Sequence, residues 1–143
     1  MIKMIDVQQK LVLAIEDEAS DLFPLKRAFN QLGSEFVLQV AQTGQEAIRY
    51  LEGKEPYCDR SQYPLPVLIV LDLRLPGMSG LDLLKWIRQQ TPLDNIPVIG
   101  LTAYGNRDLP RAYDLGLSFY LLKPAEANSL AEVLRALDLY EGG

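Results

Sequence analysis

The chain is expected to fold as an α/β protein, a doubly wound parallel sheet built from five βα units. Two observations carry that expectation. The first is Val67-Leu-Ile-Val-Leu-Asp72, a continuous β-branched and leucine run that stops at a carboxylate. Such a run suits a strand covered on both faces, as in a parallel sheet with helices above and below. The second is an alternation of strand-like and helix-like pattern that recurs five times, with no internal repeat or low-complexity tract. A length of 143 residues fits one domain, with its core at about 10–140.

Taken in order, Leu11–Ile15 is an apolar strand followed by the acidic turn Glu16-Asp17-Glu18. A helical period begins near Ser20, with Leu22, Leu25, Phe29 and Leu32 on one face and Gly33 as its C′ residue. Pro24 is expected in the first turn, where backbone N–H groups have no intrahelical partner. Phe36–Val40 reads as the second strand. Thr43 and Glu46 have the spacing of a capping box and open a helix carrying Ala47, Ile48 and Leu51 to Gly53. Lys54–Pro66, with three prolines, Cys58 and two tyrosines, is a long irregular loop. After the central strand, Ser79 and Asp82 repeat the capping spacing, and Leu81, Leu84, Ile87 and Trp86 are placed inward. Ile96–Leu101 is the fourth strand, Asn106–Leu115 a short helix closed by Gly116, and Ser118–Leu122 the fifth strand. The last helix is expected over Ser129–Leu139, opened by a third capping box at Ser129 and Glu132, with Leu130, Val133, Leu134 and Leu137 on its apolar side.

Composition narrows the function. A formal charge of −5 and a pI near 4.7 disfavour nucleic-acid contact, which needs a basic face. There is one cysteine and no histidine, so an internal disulfide, thiol–imidazole catalysis and His-ligated zinc are all excluded. Met1–Lys10 is too polar for a signal peptide and no apolar run has the length of a membrane span, which makes a cytoplasmic location the default.

The chemistry gathers at strand ends. In open α/β sheets ligands bind beyond the carboxyl ends of the strands. Right-handed crossovers set the first and third strands side by side in the order 2-1-3-4-5, which brings Glu16 and Asp17 close to Asp72. Three carboxylates in one crevice repel one another unless a cation sits among them, and hard oxygen ligands of this kind select Mg²⁺. The plainer reading is a solvated acidic turn. Thr102 ends the fourth strand and can donate a hydroxyl hydrogen bond to a phosphoryl oxygen. Lys123 ends the fifth and can offset the gathered negative charge. Alone, Thr102 reads equally well as a turn cap and Lys123 as a solvated strand end. Together with the acids they suit Mg²⁺ and a phosphoryl group.

Four stretches in order carry a family resemblance: Leu11-Val-Leu-Ala-Ile-Glu-Asp-Glu18, Leu71-Asp-Leu-Arg-Leu-Pro-Gly-Met-Ser-Gly80, Leu101-Thr-Ala103 and Gly116-Leu-Ser-Phe-Tyr-Leu-Leu-Lys-Pro124. Over nearly its whole length the chain resembles the receiver domain of two-component response regulators, a flavodoxin-like fold. The resemblance implies that Asp72 is the phosphoacceptor and that Glu16, Asp17, Asp72 and the backbone carbonyl of Arg74 bind Mg²⁺. It also implies that Lys123 contacts the phosphoryl group, that Thr102 and Tyr120 form a switch pair, and that the bond to Pro124 is cis. Arg74 and Tyr104 fall where phosphoryl lifetime is tuned, and a bulky pair there would shield the phosphate from water.

The expected function is phosphoryl transfer from a sensor histidine kinase to Asp72. The protein would be a stoichiometric acceptor that assists its own phosphorylation and dephosphorylation, not an enzyme, and would change its contacts with a downstream protein or phosphotransfer partner. The long loop before the central strand resembles single-domain regulators paired with bacterial phytochromes, which points to a phytochrome-type kinase and to one receiver domain without an output domain. The alternative is a receiver-like interaction module that is never phosphorylated. A flavodoxin-type FMN site would need hydroxyls and glycines where Glu16-Asp17-Glu18 stands, and a dehalogenase-type phosphatase would need an acid where Arg74 stands. Two readings stand for the edge made by the fourth helix, fifth strand and fifth helix: a homodimer contact with Leu117, Phe119 and Tyr113 as its apolar surface, or ordinary core packing of Tyr113 and Phe119 beneath the helices.

Overall fold

Five strands and five helices alternate along the chain in the computed structural model, which describes residues 9–75 and 77–142. Most of the polar N-terminal stretch, Pro76 of the turn motif and Gly143 lie outside the described residues. The elements are β1 (Lys10–Ile15), α1 (Ala19–Gln31), β2 (Phe36–Ala41), α2 (Gly44–Glu52), β3 (Leu68–Asp72), α3 (Gly80–Arg88), β4 (Val98–Thr102), α4 (Leu109–Asp114), β5 (Phe119–Leu122) and α5 (Ala127–Ala136). The strands form one parallel sheet in the order β2-β1-β3-β4-β5, as the crossover argument requires.

Period-2 alternation along the central strands splits the interior into two cores. Leu13, Ile15, Ile69 and Leu71 face α2, α3 and α4, where they meet Leu51, Leu84, Ile87 and Ala112. Val12, Ala14, Leu68 and Val70 face α1 and α5, where they meet Leu25, Phe29, Leu130 and Leu134. Both faces being covered explains why β1 and β3 read as unbroken apolar runs. The capping spacings at Thr43 and Ser79 are real caps: Thr43 Oγ1 accepts from Glu46 N at 3.0 Å and Ser79 Oγ from Asp82 N at 3.1 Å.

Several local expectations fail. Helix α5 starts at Ala127 after Glu126, which makes no side-chain cap bond, so Ser129 lies inside the helix and its capping box does not form. Helix α1 begins at Ala19, which puts Pro24 sixth in the helix, past its first turn. The missing N–H costs the helix its bond to the carbonyl of Ser20, an exposed residue that water can reach. On α3 the expected Leu84 and Ile87 are buried and Leu81 and Trp86 pack partly buried against the same core, but Leu83, which is fully buried, is not among the residues expected inward. Helix α4 is shorter than its pattern, because residues 104–108 form turns, where Asn106 Oδ1 accepts from Asp108 N at 2.8 Å.

The loop of residues 54–66 carries no regular element, yet it is firmly packed. Tyr57 is buried against Tyr50 and Tyr63, with ring centroids 5.0 and 5.1 Å away. Arg60 donates to the carbonyls of Tyr50, Leu51 and Tyr63 at 2.9–3.0 Å and so satisfies the C-terminal end of α2. Among the described residues no helix is long and apolar enough to cross a membrane. Leu117, expected on the β5 edge surface, is instead buried in the core; Phe119 and Tyr113 are exposed, as are Tyr120 and Leu122.

Candidate functional site

The sheet brings the carboxyl ends of four strands to one edge. Each chemistry-bearing residue leaves the sheet from backbone held by its neighbour: Glu16 N donates to Ala41 O at 3.0 Å, Leu73 N to Leu101 O at 3.1 Å and Lys123 N to Thr102 O at 2.9 Å. Because the strands are in register, with Ile15 beside Leu71, Asp72 beside Leu101 and Thr102 beside Leu122, the side chains end at a common level. The bond between Lys123 and Pro124 is cis, as the resemblance implies.

Carboxylate oxygens of Glu16, Asp17 and Asp72 lie within 4.8 Å of one another. Glu16 and Asp72 are almost wholly buried. Lys123 is the counter-charge: its Nζ lies 2.9 Å from Asp21 Oδ2, 3.2 Å from Asp72 Oδ1 and 3.3 Å from Glu16 Oε1. Burial pushes the Glu16 carboxyl up to about 9; Asp72 beside it adds to the rise and Lys123 opposes it. For Asp72, burial also raises the carboxyl, but hydrogen bonds from Glu16 and the Arg74 backbone, with the Lys123 charge, outweigh it and leave the group below the ordinary aspartate value. Lys123 is pulled down by burial and held up more strongly by Asp21, Asp72 and Glu16, so it stays charged.

Neither carboxylate oxygen of Glu16 accepts a well-oriented hydrogen bond; Lys123 reaches Oε1 only as an ion pair. A buried carboxylate left in that state is costly. Three oxygen donors with two such open acceptors fit a hard divalent cation. Arg74 N donates to Asp72 Oδ1 at 2.9 Å, which orients the carboxylate from the turn after β3. Thr102 is buried, and its hydroxyl donates to Ala103 O at 3.3 Å. Tyr120 is 40% exposed and lines a groove of about 480 Å³ together with Lys123 and with Ser129, Glu132 and Val133 of α5. Tyr104 is 92% exposed and Arg74 is exposed too, so in this conformation the tyrosine ring does not shield Asp72.

Three residues at the site escape a reading of the sequence. Asp21, in the first turn of α1, holds Lys123 from 102 positions away. Asn106 Nδ2 donates to Thr102 Oγ1 at 2.7 Å. Gly80, the first residue of α3, passes so close to the end of β3 that a Cβ would lie 2.6 Å from Asp72 O and 2.7 Å from Leu73 Cα. The pairing of Asp21 with Lys123 is tertiary and leaves no local signal, whereas Asn106 and Thr102 are four positions apart in the turn after β4 and Gly80 is a plain choice for close backbone approach.

Residues 12–135 match the family model of the response regulator receiver domain. A probable methanogenesis regulatory protein, FilR2 of Methanothrix harundinacea, is 31% identical over 91% of this chain and 82% of its own length. The transcriptional regulator NtrC of Escherichia coli is 32% identical over 94% of the chain, which spans only 26% of NtrC. Among solved structures, the bacteriophytochrome response regulator RtBRR superposes with a TM-score of 0.82 at 29% identity, covering 94% of this chain and 81% of that one. The Mn²⁺-bound form of response regulator Rcp1 gives 0.72 at 29% identity, covering 90% and 91%. With the flavodoxin-like fold, the acidic strand ends and these matches in agreement, the chain belongs to the response regulator receiver domain family, a phosphoacceptor class of two-component signalling.

Proposed function

We propose that Asp72 accepts the phosphoryl group from a sensor histidine kinase, in a site where Glu16, Asp17, Asp72 and the backbone carbonyl of Arg74 hold Mg²⁺. The observation that carries this reading is the convergence of three acids, Thr102 and Lys123 at one sheet edge, with Glu16 buried and its oxygens open. A structure of Rcp1 with bound Mn²⁺ supports a divalent cation in this class of site. When bound, the cation neutralises charge that builds up on the phosphoryl oxygens. The rest falls to the chain. An Asp72 carboxylate oxygen attacks phosphorus in line, forming an O–P bond as the donor's own bond to phosphorus breaks. Asp72 lies below the ordinary aspartate value and is therefore ionised and ready to attack. Lys123 offsets charge on the equatorial oxygens, and Thr102 turns its hydroxyl from Ala103 O to a phosphoryl oxygen.

The switch follows from Thr102. Drawn toward the phosphoryl group, it vacates space beside β5 that the Tyr120 ring enters, which changes the α4-β5-α5 surface. Exposed Phe119, Tyr120 and Leu122 on an edge strand make that surface suited to a second copy of the chain or to a downstream protein. The protein acts stoichiometrically in the cytoplasm, and resemblance to the bacteriophytochrome response regulator RtBRR favours a phytochrome-type kinase as donor. Intact-protein mass spectrometry after incubation with acetyl phosphate tests the central step. A single phosphoryl adduct is expected with Mg²⁺ and none in Asp72→Asn; an adduct that survives that substitution refutes the assignment.

A further inference from the structure

We propose that Asp21 is a positioning residue for Lys123, holding its ammonium from the α1 side so that it meets the phosphoryl group at a set angle; this rests on the reading that Asp72 is phosphorylated. Of the three carboxylates around Lys123 Nζ, Asp21 is the nearest, at 2.9 Å, and its contact has hydrogen-bond geometry. It is also the one outside the cluster suited to a cation, which comprises Glu16, Asp17 and Asp72. Once Glu16 turns to a cation and Asp72 carries a phosphoryl group, Asp21 is the partner of Lys123 whose role does not change.

The physical need is plain. Lysine is a point charge on a flexible four-carbon stem, so its ammonium must be oriented by others if it is to act at one place. Lys123 leaves the end of β5, and its side chain is 19% exposed. Asp21 is carried by a separate element, the first turn of α1, and its side chain is 28% exposed. A charge-assisted hydrogen bond between two elements fixes the stem at its far end, while the bond from Lys123 N to Thr102 O fixes it at the root. Substituting Asp21 leaves Lys123 to fall back on Asp72 and Glu16, against the groups it must leave free.

The test uses the whole chain with acetyl phosphate and Mg²⁺, with adduct formation followed by intact mass. Asp21→Ala is expected to slow adduct formation about tenfold, the order of a lost hydrogen bond to a charged group. Rates are compared at Mg²⁺ saturating for each protein by calorimetry, so that competition of the released Lys123 for Glu16 and Asp72 does not pass for lost positioning. Asp21→Glu keeps the charge and should recover most of the rate. If Asp21 served only to complement the α1 macrodipole, Asp21→Ala would lower the thermal midpoint and leave the rate at wild-type level, and that result overturns the proposal. A glutamate variant as slow as the alanine one overturns it too. A wild type that forms no adduct overturns the phosphoacceptor reading along with it, whereas a reactive wild type matched by Asp21→Ala removes the positioning role alone.

Discussion

Adding Mg²⁺ should stabilise the wild-type fold strongly, and Asp72→Asn should abolish most of that gain. Were Glu16 and Asp72 both ionised, with carboxylate oxygens no more than 4.8 Å apart, they would repel by at least about 3.5 kcal/mol at an effective dielectric of about 20. Burial first, then Asp72 beside it, drives Glu16 up to about 9 despite Lys123, so it keeps a proton that a bound cation would replace. A cation bound only by the folded chain stabilises it by about 2.7 kcal/mol at 100 times its dissociation constant. For 143 residues the unfolding entropy is about 0.3 kcal/mol/K, which converts that gain to a rise of about 9 °C in Tm. In Asp72→Asn the amide oxygen can still accept from Arg74 N, so the substitution keeps the turn while removing one anionic ligand. Differential scanning fluorimetry with and without Mg²⁺, at matched ionic strength to cancel screening, reads both proteins. The variant should shift by less than about 2 °C, since little site-specific binding remains. Equal shifts in the two proteins would refute the reasoning, since the cation would then be bound without Asp72.

Two further outcomes are expected. Gly80→Ala should destabilise the fold by about 1–3 kcal/mol in urea, although alanine is the better helix former, because its Cβ would run into the backbone of Asp72 and Leu73. Sedimentation should show self-association of the phosphorylated wild type that Phe119→Asp removes, by placing a charge on the exposed β5 edge; a monomer at all concentrations would leave that surface to other partners.

Sequence alone determined the strand order, the two-sided burial of β1 and β3, and the set of acids, Thr102 and Lys123 at the strand ends. These are legible because they depend on repeating physics: unbroken apolar runs for strands covered on both faces, right-handed crossovers for their order, and carboxyl ends as the open edge. Side-chain periodicity was less informative at helix ends. Ser129 has capping spacing, yet α5 starts two residues earlier, since a cap worth about 1 kcal/mol does not by itself fix where a helix begins. The burial of Leu117, the packing of Tyr57 and Arg60 in the loop before β3, and the exposure of Tyr120 were decided by tertiary structure. So was the contact of Asp21 with Lys123. A hydrogen bond between residues 102 positions apart has no periodicity to announce it; it exists because packing α1 beside the end of β5 brings two side chains within 2.9 Å.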